Sequence, residues 1–275
     1  MNDRDRVFSG SVAEIYERSM APMLFEPYAA DLAGRLDAGE SRDVLEIGAG
    51  TGVLTRALVG ALPPDVAITA IDLNQAMLDR AAAASSGRRV EWRRAAAADL
   101  PFPDRSFDTV VSQFTAMFFP DKPRVFAEVR RVLRPGGRFV FNVWDRLADN
   151  EFADVVDAAI ASVCPNDPPH FMARTPHGYY DPAAIAADLR AAGFSDPPRI
   201  DTLALPSRAG SARLAAEGFC QGTPLRLEIE ARDSGGLEAA TTTAAAALAA
   251  RFGSGAIEGR MQAEVIVVQL PRSRS

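Results

Sequence analysis

The sequence predicts an α/β protein, a doubly wound and mostly parallel sheet with helices on both faces. Three observations carry that expectation. From residue 42 to residue 144, short apolar runs alternate with stretches of helical character. The first of these runs ends in a turn with glycine at every second position, Gly48-Ala49-Gly50-Thr51-Gly52. The next run, Val66 to Ile71, closes on an acid, Asp72.

The elements follow in order. Residues 7–38 read as helical, with Val12, Ile15, Tyr16, Met23 and Leu24 at helical spacings, and Pro22 and Pro27 are expected to break the stretch into pieces. Strand 42–47 leads to a helix at about 52–61. Strand 66–71 leads to a helix at about 74–84, for which Asn74 is an N-cap candidate. Strand 89–94 precedes the loop Leu100 to Asp104. Strand 107–113 leads to a helix at about 121–133, stopped by Pro135-Gly136-Gly137, and strand 138–144 follows. Residues 150–163 read as helix and 165–182 as a loop rich in Pro, His and aromatics. Pro182 suits the first position of a helix that ends at Gly193. Residues 199–205 read as a strand, 207–258 as an Ala-rich helical insertion, and Val265 to Leu270 as the last strand. A final strand separated from its sheet by an insertion closes the same domain. One domain is therefore expected over 1–275, its core at about 40–145, 182–206 and 260–270. Lid or cap segments fall at 1–30, 146–181 and 207–258.

Composition narrows the function. A formal net charge of −6 argues against a nucleic-acid binder, which needs a basic face. The pairs Arg88-Arg89 and Arg93-Arg94 read as solvated strand edges. Cys164 and Cys220 are the two cysteines, too few for a disulfide framework or a zinc site. They read as reduced thiols of a cytoplasmic protein, and no metal is expected. No apolar h-region follows the charged start Met1 to Arg6, and no run approaches the ~20 apolar residues of a membrane span.

Glycine after a first strand lets the backbone turn sharply and come close to a ligand. An acid closing the second strand can accept hydrogen bonds from both hydroxyls of a ribose. A nucleoside-bearing cofactor is therefore expected. Three features separate the candidates. The position that must be small in a dinucleotide fingerprint is Val53. Glu46, two residues before the first glycine, would repel a pyrophosphate but suits a ligand bearing ammonium and sulfonium charges. No lysine follows the glycines, so the turn is not a P-loop.

Val44 to Gly52 resembles the first signature of class I S-adenosylmethionine-dependent methyltransferases. Leu100-Pro101-Phe102-Pro103-Asp104-Arg105-Ser106-Phe107-Asp108 resembles the segment before their fourth strand, and Val132-Leu133-Arg134-Pro135-Gly136-Gly137 the turn before their fifth. The group that includes quinone-biosynthesis and other small-molecule methyltransferases is the most similar in flavour. The resemblance covers roughly residues 40–145. It implies a Rossmann-like sheet of seven strands, order 3-2-1-4-5-7-6, with strand 7 antiparallel.

Carried over residue by residue, it implies that Gly48, Ala49 and Gly50 support the methionine part of S-adenosylmethionine, with Glu46 close by. Asp72 would hold the ribose hydroxyls, Leu73 and Met77 would pack on the adenine, and the backbone at Ala97 and Ala98 would meet its edge. Gln113 would lie near the methionine or the methyl-transfer path. Relatives carry an acid at the position of Ala96; Asp99, three residues on, either substitutes for it or caps the turn.

His170 and His177 are the histidines of the chain. Each is a candidate proton acceptor, and each could equally be a loop histidine bonded to backbone. Tyr16, Phe114, Met117 and Tyr179 are candidates for lining an apolar acceptor site, and could equally be packing residues. The expected reaction is methyl transfer to an O, N, S or C nucleophile of a small-molecule acceptor, by a monomer or homodimer. An NAD-dependent oxidoreductase and a non-catalytic cofactor-binding protein are the alternatives.

Overall fold

The computed structural model describes residues 14–36, 39, 41–85, 90–232 and 236–272. The helical expectation over 7–13 and 37–38, with Val12, lies outside the described residues. So do the pair Arg88-Arg89, the first 13 residues of the expected lid and the end of the C-terminal tail.

In chain order the described residues form a π-helix (Tyr16–Phe25), α1 (Glu26–Gly34), β1 (Asp43–Ile47), α2 (Val53–Ala61), β2 (Ala67–Asp72), α3 (Gln75–Ala84), β3 (Glu91–Arg94), β4 (Phe107–Gln113), α4 (Lys122–Val132) and β5 (Leu133–Trp144). They continue as α5 (Glu151–Val163), α6 (Phe171–Arg174), α7 (Pro182–Ala191), β6 (Arg199–Ala209), α8 (Ala212–Gln221), α9 (Leu225–Glu230), α10 (Leu237–Phe252) and β7 (Ile257–Gln269).

The seven strands make one sheet in the order β3-β2-β1-β4-β5-β7-β6. The pairs β1–β2, β1–β4, β2–β3 and β4–β5 are parallel. β7 runs against β5. The Leu270 N–H donates to the Gly137 carbonyl and the Asp145 N–H to the Gln262 carbonyl, so one strand advances as the other retreats. The mixed sheet of the resemblance is thus present.

By contacts the chain forms two compact units. One comprises Tyr28–Val143, Tyr180–Thr202 and Glu264–Ser275. Its central strands are buried on both faces, with Val44, Leu45, Val110, Val111, Phe139 and Phe141 all essentially inaccessible. Such continuous apolar runs are what a covered parallel sheet requires. Phe126 of α4 packs on Phe139 and Phe141 of β5, with ring centroids 5.6 and 5.4 Å away. Asn74 does cap α3, accepting the Ala76 N–H, and Asp181 caps α7 ahead of Pro182.

The other unit comprises Met1–Pro27, Trp144–Tyr179 and Leu203–Ala263. Within it Gly218 of α8 lies against Met20 and Ser19 of the π-helix. Arg213 of α8 is bound to Glu217 and to Glu238 of α10. Arg251 of α10 is bound to Glu151 of α5.

Three expectations are corrected. Pro22 does not break its helix but sits inside the π-helix, which runs directly into α1. In the wider turn N–H groups reach back five residues, as Glu26 does to Ala21, and a residue without an N–H is accommodated. Second, the stretch 165–182 contains the short helix α6. Third, Pro135-Gly136-Gly137 is an irregularity within β5 and not a turn ahead of it: Phe107 pairs with Leu133 but Thr109 with Arg138. Gly136 takes φ +82°, and a Cβ on Gly137 would meet the Arg134 and Asp108 carbonyl oxygens, so two glycines are what lets the strand pass there.

Candidate cofactor site

The glycine turn is stapled to the end of β2. The Gly48 and Ala49 N–H groups both donate to the Ile71 carbonyl, at 2.8 and 3.0 Å. The Asp72 carboxylate accepts the Gly50 N–H at 2.9 Å on Oδ2 and the Asn74 N–H at 2.8 Å on Oδ1. Burial raises the Asp72 pKa above its ordinary value, and the N–H groups of Asn74, Gly50 and Leu73 pull it back. Asp72 therefore holds the turn in shape with one lone pair of each oxygen.

The three glycines all have positive φ, but for different neighbours. A Cβ on Gly48 would fall inside the Thr115 side chain, and one on Gly52 would press on Ala81 of α3 at 3.0 Å. A Cβ on Gly50 would meet nothing within 4 Å. The first and third glycines admit neighbouring protein; the second faces open space, which is the cradle a ligand needs.

Glu46 lies on the central strand β1, between Ala70 of β2 and Val111 of β4. It is 1% exposed and accepts the Thr55 hydroxyl of α2 at 2.5 Å. Burial pushes its pKa up to about 8, so the carboxyl carries a proton at neutral pH until a cation comes near.

The remaining predicted cofactor residues surround the end of β2 and β3. Leu73 is 51% exposed, an outward apolar surface directly after Asp72. Met77 of α3 is buried. Ala97 and Ala98 are half-buried in a tight turn closed by the Asp99 N–H on the Ala96 carbonyl, and the Ala95 N–H ties its start to the Asp72 carbonyl. The Asp99 side chain is exposed and makes no side-chain cap there among the described residues.

Gln113 ends β4, opposite Asn142 of β5. Phe114 is buried at φ +47°, its ring edge-on to Tyr28 at 5.2 Å. Met117 is buried in a 3₁₀ turn. Together the structure gathers Glu46, the glycines, Asp72, Leu73 and the Ala97–Ala98 turn around the carboxyl ends of β1 to β3. This is where open α/β sheets bind ligands.

The other four candidates belong to the second unit. Tyr16 stacks on Phe25 with centroids 5.0 Å apart, and Tyr179 is half-buried. His170 is exposed at the N-terminus of α6 without capping it. His177 is buried, and its Nδ1 lies 2.8 Å from the Asp145 carbonyl. A carbonyl only accepts, so Nδ1 carries the proton and Nε2 the lone pair. Burial lowers its pKa to about 4.

Sequence reasoning passed over Thr55 beneath Glu46, Thr115 behind Gly48, and Asn142. None carries a local signal; each is found only by what folding sets beside it.

Comparison with known proteins agrees with this geometry. Residues 45–141 match the model of a methyltransferase domain. That span runs from within β1 to within β5 and contains the glycine turn and Asp72. Over that span the chain is similar to methyltransferase domains. It is 33% identical over 184 residues to nocamycin O-methyltransferase of Saccharothrix syringae, covering 62% of this chain and 65% of that one. It is 36% identical over 121 residues to the ubiquinone/menaquinone biosynthesis C-methyltransferase of Hahella chejuensis, covering 42% of this chain and 47% of that one. The chain thus spans about half to two thirds of these relatives. In fold the chain is similar to the YcgJ protein of Bacillus subtilis, with a TM-score of 0.57 at 19% identity, covering 90% of this chain and all of that one.

Proposed function

We propose that the chain transfers a methyl group from S-adenosylmethionine to an O, N, S or C nucleophile of a small-molecule acceptor. The observation that carries the proposal is the pairing of an open left-handed glycine, Gly50, with a carboxylate, Asp72, that is bonded to its N–H. Such a turn accepts a ligand against bare backbone while an acid stands ready for ribose hydroxyls. S-adenosylmethionine supplies a methyl group already activated on a sulfonium centre.

The chain's own part is to bind, align and exclude water. In the proposed arrangement Gly48, Ala49 and Gly50 support the methionine part, and Asp72 uses its remaining lone pairs for the ribose. The exposed Leu73 and the Ala97–Ala98 turn receive the adenine, with Met77 beneath. Glu46 becomes ionised beside the bound positive charge. Gln113, Phe114 and Met117 border the transfer path. Of the two histidines, His177 has the tautomer that accepts a proton at Nε2. The support for O- and C-methylation is that the two relatives named above are an O- and a C-methyltransferase.

The test is turnover. The protein is incubated with methyl-labelled S-adenosylmethionine and a panel of phenols, enols, carboxylic acids, amines and thiols, and S-adenosylhomocysteine is measured. Label on one class of acceptor is expected. Cofactor binding without label on any class identifies a non-catalytic binding protein instead.

A further inference from the structure

At the end of β4 the chain does something costly. Phe114, a bulky residue, takes a left-handed backbone conformation at φ +47°, which L-residues with large side chains avoid. Its N–H donates to Oδ1 of Asn142 on β5 at 2.9 Å in a buried setting. Asn142 is 0% exposed, and its Nδ2 has no hydrogen-bond partner among the described residues. Turning the amide over would set its NH₂ against the Phe114 N–H, donor against donor, so the orientation is fixed by this one bond. Two penalties, a strained residue and an unmet buried donor, thus meet in a single contact. Such features persist only where the surroundings over-determine them, and they concentrate at functional sites.

What the contact holds in place is the residue that follows. The Thr115 hydroxyl donates to the Gln113 carbonyl at 2.9 Å and reaches toward the Gly48 carbonyl at 3.5 Å. Its side chain fills the space that a Cβ on Gly48 would need. A continuous path therefore runs from Asn142 through the bent backbone at Phe114 to Thr115, and from Thr115 to the first glycine of the turn.

We infer that Asn142 is a positioning residue for the cofactor turn: by accepting the Phe114 N–H it holds the left-handed bend that seats Thr115 against Gly48. The inference rests on the cofactor reading above. It commits Asn142 to no contact with ligand.

The test uses the full chain and S-adenosylhomocysteine as the probe, with affinity from calorimetry and Tm from thermal unfolding. Asn142→Leu keeps size but removes the acceptor. Asn142→Asp keeps an acceptor facing Phe114 and buries a charge, so it lowers Tm. A residue that merely stabilises the fold would make affinity follow Tm. A positioning residue makes the two part. Asn142→Leu is expected to bind about ten-fold more weakly, and Asn142→Asp to bind within about three-fold of the parent despite the lower Tm. The expected rescue is Phe114→Gly in the Asn142→Leu background, since glycine takes positive φ unaided. Should Asn142→Leu not fold, Asn142→Thr, whose hydroxyl falls short of the Phe114 N–H, takes its place with the same expectation. Parent-like affinity in that variant, or an Asn142→Asp protein that binds more weakly than it, overturns the inference and leaves the cofactor reading standing. Failure of the parent protein to bind S-adenosylhomocysteine overturns both.

Discussion

Glu46→Gln tests the electrostatics beneath the glycine turn. Burial raises the Glu46 pKa from 4.5 to about 8. Between those two values the folded protein keeps a proton on Glu46 that the unfolded chain gives up. Stability contributed by that proton is present in full below pH 4.5 and is lost as pH rises toward 8. At about 1.4 kcal/mol for each pH unit, the ionised side chain costs the folded state about 5 kcal/mol above the upper value. Glutamine keeps an oxygen for the Thr55 hydroxyl, which now sits 2.5 Å from Oε2, and it has no charge to bury. The variant should therefore gain on the parent with rising pH. The gap should be small at pH 5 and widen by several kcal/mol toward pH 8. Denaturant unfolding of both proteins at the two pH values checks this, because every other titrating group cancels in the difference. The same proton links to ligand binding. A cation bound near Glu46 favours its ionised form, so binding releases a proton below pH 8 and affinity rises with pH by up to about ten-fold per unit. Calorimetry in two buffers of different ionisation heat counts that proton, and Glu46→Gln should abolish it. A stability gap that does not change with pH, together with no proton released, refutes the reasoning.

Asp72→Ala removes the acceptor of two backbone N–H groups as well as the proposed ribose partner. It should cost about 2–4 kcal/mol of stability and most of the S-adenosylhomocysteine affinity, whereas Asp72→Asn should lose less of both. Unchanged affinity in Asp72→Ala would remove it from the ribose role. The glycines should separate folding from binding. Gly48→Ala meets Thr115 and should fold poorly, with partial recovery when Thr115→Gly is added. Gly50→Ala, in open space at φ +54°, should lose only about 1–2 kcal/mol yet bind the cofactor weakly. Melting curves and titrations read the two effects apart. His177→Asn should flatten the acid limb of the stability profile. The buried imidazole resists protonation down to about pH 4 while the unfolded one takes a proton below 6.5. Stability present above 6.5 is therefore lost as pH falls, by about 3 kcal/mol. Equal acid sensitivity in parent and variant would sink this account.

Much of the fold was legible because its signals are local. A buried strand is a short apolar run, an N-cap is a polar residue one position ahead of a helix, and Asn74 and Pro182 could be read on sight. Gly48, Gly50 and Gly52 announced a left-handed turn because few other residues adopt positive φ cheaply. Asp72 was legible by its place at the end of β2. Pro22 misled, since the rule that proline breaks a helix presumes an α-helix, and nothing nearby announced the wider π turn. Pro135-Gly136-Gly137 was read as a boundary, and only pairing with β4 showed the strand passing through it.

By itself, then, the sequence determined the alternation of elements, the backbone freedom of the turn and the chemical type of the groups beside it. Those are properties of each residue and its immediate neighbours. Tertiary structure decided what each of those groups can do. Gly48 and Thr115 are 67 positions apart, and Phe114 and Asn142 are 28 apart. Only the pairing of β1, β4 and β5 brings them within reach. The same burial turns Glu46 from an ordinary carboxylate into an acid that titrates near pH 8. A pKa depends on the dielectric and charges that folding places around a group, and the order of residues does not carry that information.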